Sequence, residues 1–162
     1  DASSITHGHE ISKLGCKIYY DYVCMLLDGY DKKLALKLLK NIDYSKHYSK
    51  DTIAVYHRIL NGDLDSLSIN NIKSSGYVVD SLEASLWCTI KNDNYEDAVV
   101  SAVNLGNDTD TIGAITGSLN GIIYGYNNIP KKWLDKIRKK DYLEELSDDF
   151  VNRVIQGNRK KV

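Results

Sequence analysis

Apolar residues recur at helical spacing along almost the whole chain, and its 162 residues include a single proline, Pro130. Proline interrupts a helix because it lacks a backbone N–H and its ring clashes with the preceding turn. A chain with one proline is therefore free to be helical nearly throughout. No stretch shows the strict polar and apolar alternation that predicts a half-buried strand. We predict an all-α fold, a compact bundle of roughly eight or nine helices.

Apolar stripes and capping residues predict where these helices begin and end. The first long stripe runs from Ile11 to Leu26 and stops at Gly29, which can adopt the left-handed conformation of a helix C-cap. Further helices are predicted to start at polar capping residues and at the proline, namely Asp31, Ser49 or Asp51, Asn94 with Asp97, Pro130, and Asp141 with Glu144. The remaining predicted pieces are a weak amphipathic segment from Leu64 to Ile72, a buried helix from Val79 to Ile90, and a helix from Thr111 to Tyr124.

Charge and composition exclude several functional classes. The 21 basic and 22 acidic residues give a formal net charge of -1 and are spread along the chain, whereas binding to nucleic acid or to an anionic membrane needs a basic patch. The hydrophobic share of 43% suffices to bury a core at this length. The sequence contains no linker, repeat or membrane-spanning apolar segment. We expect one domain over residues 1–162, with neither a nucleic-acid nor a membrane partner.

The three cysteines, Cys16, Cys24 and Cys88, are odd in number and form no C-x-x-C pair. This pattern disfavours a disulfide framework or a zinc ribbon. Each cysteine falls on an apolar helical stripe, so we predict that all three are buried small hydrophobes. A reducing cytoplasm is the expected setting.

A polar hexapeptide, GNDTDT from Gly106 to Thr111, lies between two predicted helices. Two carboxylates two residues apart and a following hydroxyl can direct several oxygen atoms at one point, as Mg²⁺, Mn²⁺ or Ca²⁺ requires. The same residues also suit a purely structural role, in which Asp110 caps the next helix and Asp108 stabilises a turn. The hexapeptide by itself leaves both interpretations open.

The helix after this loop carries four glycines at intervals of four, namely Gly113, Gly117, Gly121 and Gly125. Each costs about 1 kcal/mol of helix propensity relative to alanine, so a compensating interaction is expected. The polar residues among them argue against a membrane-helix dimer. We predict that the stripe lets a neighbouring helix pack closely and that it holds the oxygen-donor loop on a rigid support.

A second polar motif, SITHGH from Ser4 to His9, precedes the first long helix. Its two histidines have no third nitrogen or sulfur ligand nearby in sequence, which argues against zinc. Thr6 or His7 can cap the helix, and His7 can instead face an anionic ligand at the helix N-terminus. Sequence reasoning does not choose between these two roles.

Five segments occur in series along the chain: SSITHGHEISKLGC ending at Cys16, GYVVDSLEASLW from Gly76, YEDAVVSAVNL from Tyr95, GNDTDTIGAITGSLNGIIYG from Gly106 and IPKKW from Ile129. In this order they resemble the C-terminal half of the ADP-ribosylglycohydrolase family, of the ADP-ribosyl-[dinitrogen reductase] hydrolase type. The resemblance covers most of the chain. It implies an all-α fold and hydrolysis of the bond between ADP-ribose and an acceptor, with two Mg²⁺ or Mn²⁺ ions in a central cleft.

The resemblance also implies roles for individual residues. The metal ligands would be Asp108, Asp110 and Thr111. The residues that bind ADP-ribose, or the ADP-ribosylated substrate, would be Thr6, His7, Gly76, Tyr77, Gly106 and Asn107. Within this set, Thr6 and His7 would lie at the edge of the ADP-ribose cleft, and Gly76 and Tyr77 against its adenosine-ribose side.

Three motifs of the family pattern do not occur in these 162 residues: G-D-x-x-G, a T-D-D-T-type motif and G-N-G-x-x-M/A-R. In the family they supply further metal ligands and hold the diphosphate, so we expect the catalytic base in an N-terminal half. The first residue is Asp1 rather than Met, and we expect a processed or partial polypeptide that works together with that half as its partner. The alternative hypothesis is an inactive relative with a binding or crystallin-like structural role.

Overall fold

The computed structural model describes residues 2–159, with side chains up to residue 154. Within that range the chain forms nine α-helices and no β-strand, which confirms the predicted all-α class. The α-helices are α1 (Glu10–Leu27), α2 (Lys32–Leu39), α3 (Lys50–Val55), α4 (His57–Leu60), α5 (Val78–Lys91), α6 (Tyr95–Val103), α7 (Thr109–Tyr124), α8 (Lys131–Leu134) and α9 (Lys140–Arg159). Short 3-10 turns occur at Ala2–Ile5, Tyr44–Lys46, Leu64–Ser66, Ile69–Asn71 and Tyr126–Asn128. The chain divides into two compact units at Asn128, so α1 to α7 form one unit and α8 with α9 the other.

Several helix boundaries lie where the capping residues predict them. The side chains of Asp31, Ser49 and Asn94 each accept a hydrogen bond from a backbone amide in the first turn of α2, α3 and α6, respectively. Gly29 follows the C-cap of α1 with φ +87°, a left-handed conformation that glycine adopts without strain. Local side-chain capping therefore determines three of these boundaries, and the backbone freedom of glycine determines the fourth.

Other boundaries differ from the prediction. The helix predicted to start at Ser49 or Asp51 has an apolar pattern that continues to Leu60, which indicates one helix. The structure breaks it at Tyr56, whose ψ of 16° separates α3 from α4. The segment expected to be amphipathic from Leu64 to Ile72 contains only two 3-10 turns. Its apolar residues do not form one buried helical face, since Leu64 is buried while Ile69 is exposed.

The capping box predicted at Asp141 is wrong. The helix α9 begins at Lys140, so Asp141 already lies in its first turn. The preceding residue, Lys139, has φ +57° and forms the turn that starts this helix. In the same way α7 begins at Thr109, two residues before the predicted start at Thr111.

The core of the first unit forms around one face of α1. Leu14, Ile18 and Tyr22 on that face are fully buried and belong to the same apolar cluster as Leu86 of α5 and Leu119 of α7. A second, smaller cluster is formed by residues of α5, α6 and α7, namely Ala84, Trp87, Cys88, Ala102 and Ile112. Helices α1, α5 and α7 therefore share buried surfaces, and this packing positions the ends of these helices that border the site.

The glycine stripe on α7 packs closely for half of its length. A Cβ atom on Gly113 would lie 3.2 Å from Val103 Cγ1, and one on Gly117 would lie 3.2 Å from the Tyr95 hydroxyl. Both neighbours belong to α6, so the predicted close helix packing is confirmed at these two positions. Gly121 and Gly125 have open space instead, and Gly125 ends the helix with φ +79°.

The three cysteines lie in different surroundings. Cys88 is buried, as predicted, and burial raises the pKa of its thiol to about 11. Cys24 is half-buried. Cys16 is exposed, so its predicted burial is wrong, because the buried face of α1 is the one that carries Leu14 and Ile18. All three thiols are free.

A buried tyrosine occupies the space that a side chain at Gly15 would need. The Tyr56 hydroxyl donates to the Ile11 carbonyl of α1 at 2.8 Å, and Tyr56 is fully buried. A Cβ atom on Gly15 would lie 2.5 Å from this hydroxyl and 3.2 Å from Val78 Cγ2. Residue 15 therefore has to be glycine for this contact to form.

We expect Gly15→Ala to lower the free energy of unfolding by about 1–3 kcal/mol, because the added methyl group overpacks a filled site. The matched control is Gly121→Ala on α7, where no atom lies within 4 Å of the added Cβ apart from the adjoining residues and the backbone of the same helix. That control should gain roughly 0.5–1 kcal/mol from helix propensity alone. Urea denaturation of both variants measures the difference, and equal stabilities would contradict the packing described.

Candidate functional site

A cavity of about 830 Å³ opens between the N-terminal segment, α1, and the starts of α5 and α7. Its lining includes His7, His9, Cys16, Tyr19, Tyr77 and Thr111. A volume of this size is within the range of sites that bind small molecules or cofactors. All of these residues belong to the first compact unit.

The loop before α7 is hydrogen-bonded to the segment before α5. The Asp108 amide donates to the Ser74 carbonyl at 3.1 Å, and the Asn107 side-chain amide donates to the Ser74 hydroxyl at 3.0 Å. Gly106 and Asn107 both have positive φ, at +80° and +57°, which turns the chain sharply into the helix. These contacts place the polar hexapeptide at the beginning of α7 with a defined conformation.

Three oxygen-bearing side chains meet at this helix start. Thr111 Oγ1 donates to Asp108 Oδ1 at 2.9 Å, and the Thr111 backbone amide donates to Asp110 Oδ1 at 2.9 Å. Hydrogen bonds from the Asp108 carboxyl group, from the Thr111 amide and from its own amide lower the pKa of Asp110. Thr111 therefore links the two carboxyl groups, bonding Asp108 through its hydroxyl and Asp110 through its backbone amide.

This arrangement fits part of a divalent-cation site. The donors are carboxylate and hydroxyl oxygens, which Mg²⁺ and Mn²⁺ favour, and a cation would offset the negative charge of the two carboxylates at the helix start. Among the described residues, however, no group of three or more His, Cys, Asp or Glu side chains is placed to hold a metal ion. The predicted ligands Asp108, Asp110 and Thr111 would therefore be only part of a ligand set, and their metal binding stays a prediction.

The segment before α5 forms the next part of the site. A Cβ atom on Gly76 would lie 3.2 Å from Asp108 Oδ2, so the absence of a side chain at residue 76 leaves room for this carboxylate. Gly76 and Tyr77 both line the cavity, and the Tyr77 side chain is exposed. The Ser81 hydroxyl of α5 bonds the Ser75 and Tyr77 carbonyls at 3.0 and 3.2 Å, which holds the segment against its helix.

The histidine motif lies at the N-terminus of α1. Thr6 Oγ1 and His7 Nδ1 are 2.9 Å apart and hydrogen-bonded. The N-cap of α1 is His9, whose Nδ1 accepts from the Ile11 amide at 3.2 Å. The expectation that Thr6 or His7 caps this helix is therefore wrong, because α1 starts at Glu10, immediately after His9.

The structure brings some of the predicted residues together and leaves others apart. His7, Gly76, Tyr77 and Thr111 line the cavity, and Asp108 lies against Gly76. Other predicted residues are not among those that line the cavity, namely Thr6, Gly106, Asn107 and Asp110. Their ligand-binding and metal-binding roles stay predictions.

Sequence reasoning missed a stripe of α1 that forms one wall of the cavity. The stripe consists of His9, Ser12, Cys16 and Tyr19. These positions are spaced by three, four and three residues, which places them on one helical face. This spacing indicates a second helical face. It is less obvious in the sequence than the apolar stripe on the opposite face of α1.

The fold and the site define an all-α protein with a large cavity, bordered by oxygen donors suited to a divalent cation. The chain belongs to the ADP-ribosylglycohydrolase family, whose model matches residues 1–160. The match runs through both compact units, and the expectation of one domain over residues 1–162 stays a prediction. No helix among the described residues is long and apolar enough to cross a membrane.

Three curated relatives illustrate the similarity. An ADP-ribosylarginine hydrolase Tri1 of Pseudomonas putida (strain GB-1) is 30% identical over 155 residues, covering 95% of this chain and 39% of the relative. Another Tri1, of Serratia proteamaculans (strain 568), is 43% identical over 89 residues, covering 55% and 24%. An ADP-ribosyl-[dinitrogen reductase] glycohydrolase of Rhodospirillum rubrum is 38% identical over 68 residues, covering 42% and 23%. In all three cases the match covers less than half of the relative's length.

Proposed function

We propose that this chain contributes the ADP-ribose-binding cavity and part of the metal site of an enzyme that hydrolyses the bond between ADP-ribose and an acceptor. The observation that supports this proposal is the meeting of three motifs at one cavity. His7, Tyr77 and Thr111 come from separate segments of the sequence and line the same space. The names of the relatives agree with this substrate class.

In the proposed function each motif has a distinct task. Asp108, Asp110 and Thr111 provide oxygen ligands for Mg²⁺ or Mn²⁺. A bound divalent ion supplies Lewis-acid chemistry and orients sugar hydroxyls and water near the anomeric carbon. Thr6 and His7 bind the ligand at the edge of the cavity. Gly76 leaves space beside the metal ligands, and the exposed Tyr77 ring offers a flat surface to a nucleoside.

The three oxygen donors fill only part of the coordination shell of one ion, since these ions take six or more ligands. Two ions held by these residues alone would be bound mostly by water and therefore weakly. We propose that the other ligands and the general base come from residues outside this 162-residue sequence, in an N-terminal half of the family type. The cytoplasmic location predicted from the cysteines stays a prediction.

Titration of the isotopically labelled chain with ADP-ribose, followed by NMR, tests the binding part of this proposal. We expect shifts confined to residues that line the cavity, and tighter binding when Mn²⁺ or Mg²⁺ is present. Adding the N-terminal half of a relative as a separate chain should produce hydrolysis of ADP-ribosylated arginine or another ADP-ribosylated acceptor. No binding of ADP-ribose in the presence of metal would contradict the proposal, and hydrolysis by the chain alone would contradict its dependence on a second half.

An inactive binding protein is the second candidate. The observation that favours it is that no group of three or more His, Cys, Asp or Glu side chains among the described residues is placed to hold a metal ion. The two carboxylates of Asp108 and Asp110 argue against it, because a purely structural role does not need both. Binding of ADP-ribose without hydrolysis, when the second half is present and itself correctly folded, would support this candidate over the enzyme.

A further inference from the structure

The cavity has a second histidine, His9, to which the family resemblance assigned no role. Its backbone is extended, with φ -68° and ψ 139°, and its Nδ1 accepts the Ile11 amide at 3.2 Å. An imidazole nitrogen that accepts a hydrogen bond carries a lone pair, so the proton of the neutral ring resides on Nε2. The N-cap contact therefore selects the tautomer of His9.

The fixed tautomer leaves Nε2–H as the ring's free donor. In the described part of the chain, the hydrogen bond found for the His9 ring is the one from the Ile11 amide to Nδ1, and none is found for Nε2. His9 lines the cavity, and its ring is held at the start of an 18-residue helix. By contrast, the His7 Nδ1 faces the Thr6 hydroxyl, which either donates or accepts, so that contact fixes no tautomer for His7.

This arrangement excludes a metal-ligand role for the ring as it is held. Metal-bound histidine coordinates through a lone pair on one nitrogen and donates N–H from the other. His9 has the opposite arrangement, because its Nδ1 lone pair is used by the helix cap and its Nε2 carries the proton. The H-x-H spacing of His7 and His9 is consequently not evidence for a transition-metal pair.

The surroundings favour an oxygen acceptor in the ligand. The cavity wall near α1 and α5 is largely apolar, with Ile11, Val78 and Leu82 among its side chains. In such a wall a few fixed polar groups orient a ligand. ADP-ribose offers phosphate and ribose hydroxyl oxygens, and either can accept from an N–H group.

We propose that His9 is a ligand-binding residue of this cavity and that its Nε2–H donates a hydrogen bond to an oxygen of bound ADP-ribose. The inference rests on the proposed function. In it one imidazole has two tasks, since Nδ1 caps α1 and thereby aims Nε2–H at the ligand.

Two substitutions separate the tasks. The Asn side chain in His9→Asn places an oxygen near the position of Nδ1, and Asn is among the best N-cap residues, so the cap is kept. The Asn amide group ends short of the position of Nε2, so the donor is withdrawn from the cavity. In His9→Gln the terminal amide reaches the position of Nε2, so a donor is kept and the cap is weakened.

We expect His9→Asn to retain the melting temperature and to weaken ADP-ribose binding about five- to tenfold, the effect of one hydrogen bond to a charged or polar group. His9→Gln should melt at a lower temperature and bind within about twofold of the unmodified chain.

The acceptor oxygen is identified by repeating the NMR titrations with ADP and with adenosine. A loss of affinity in His9→Asn for ADP-ribose and ADP, but not for adenosine, assigns the phosphates. A loss for all three ligands assigns the adenosine ribose, and a loss for ADP-ribose alone assigns the distal ribose. Each of these three patterns supports the inference.

The contrary outcomes are distinct. An unchanged dissociation constant in His9→Asn, with the unmodified chain binding ADP-ribose, overturns this inference and leaves the proposed function intact. Failure of the unmodified chain to bind ADP-ribose overturns the proposed function and the inference with it. The side-chain ¹⁵N shifts of His9 give an independent test that needs no variant, because an unprotonated Nε2 in the neutral ring would also overturn the inference.

Discussion

Replacing Asp108 and Asp110 together by asparagine should reduce hydrolysis of ADP-ribosylated substrate on the order of a thousandfold in the assembly with the completing half. The change removes both carboxylate charges from the start of α7 and leaves the shape of the side chains nearly unchanged. Loss of the metal's Lewis-acid and orienting chemistry is worth several kcal/mol, and a thousandfold change in rate corresponds to about 4 kcal/mol. Metal binding by the chain itself should fall in parallel, measured as the concentration of free Mn²⁺ by electron paramagnetic resonance.

The control for this experiment is Asp148→Asn with Asp149→Asn. Both residues are exposed on α9 in the second compact unit, so two negative charges are removed from residues that do not line the cavity. We expect this variant to bind Mn²⁺ and to support hydrolysis as the unmodified chain does. Full activity in the Asp108 and Asp110 variant would show that these carboxylates do not hold the metal, and would leave the structural role at the helix start as their function.

The helix starts that the sequence predicts correctly are those determined by local chemistry. Asp31, Ser49 and Asn94 bond to amides two or three residues away, so a short window of sequence contains all the partners. The left-handed turn at Gly29 is local in the same sense. These features can be identified without knowledge of the tertiary structure.

The features that the sequence does not reveal depend on distant residues. The break at Tyr56 accompanies a phenol that is fully buried and bonded to Ile11, 45 residues away. Nothing in the local pattern from Ser49 to Leu60 predicts that this ring will pack against Gly15. Similarly, Cys16 lies on a stripe with apolar neighbours, and only the position of the core shows that this stripe faces the cavity and solvent.

The candidate site follows the same division. Each motif is visible as a local pattern, and the family resemblance predicts that Thr6, Gly76 and Asp108 belong to one site. The contact of Asp108 with the Ser74 and Gly76 segment is a property of the folded chain, because more than thirty residues separate them. The role of His9 depends on which residue begins α1, and helix boundaries from sequence are uncertain by about two to four residues. A shift of two or three residues is enough to transfer the cap from His7 or Thr6 to His9.

A partly buried ion pair connects α4 with α5. Arg58 Nε lies 3.1 Å from Glu83 Oε2, and the Glu83 side chain is only 7% exposed. Arg58 also donates to the Asn71 carbonyl at 2.8 Å. Burial raises the pKa of Glu83, while the Arg58 charge acts in the opposite direction and the Asp80 charge adds to the rise. The carboxylate of Glu83 is therefore costly to bury without its partner.

Arg58→Met should lower the free energy of unfolding at pH 7 by about 3–5 kcal/mol, since it leaves a buried carboxylate without a counter-charge. Glu83→Gln should cost less, because Arg58 is 33% exposed and keeps its bond to Asn71. Arg138→Met, at an exposed arginine, is the control and should change stability by no more than about 0.5 kcal/mol.

The penalty of Arg58→Met should depend on pH in a defined direction. A carboxyl group whose pKa is raised in the folded state binds protons more tightly there than in the unfolded chain, so acidification stabilises the folded state through this group. Removing Arg58 raises the pKa of Glu83 further. The difference in unfolding free energy between Arg58→Met and the unmodified chain should therefore be largest at neutral pH and shrink as the pH falls towards the ordinary glutamate value of 4.5.

Urea denaturation across this range measures the effect, and combining Arg58→Met with Glu83→Gln should remove the pH dependence because no buried carboxylate remains at residue 83. A penalty that is constant with pH would mean that Arg58 stabilises the fold through packing and its bond to Asn71, and not through the charge of Glu83.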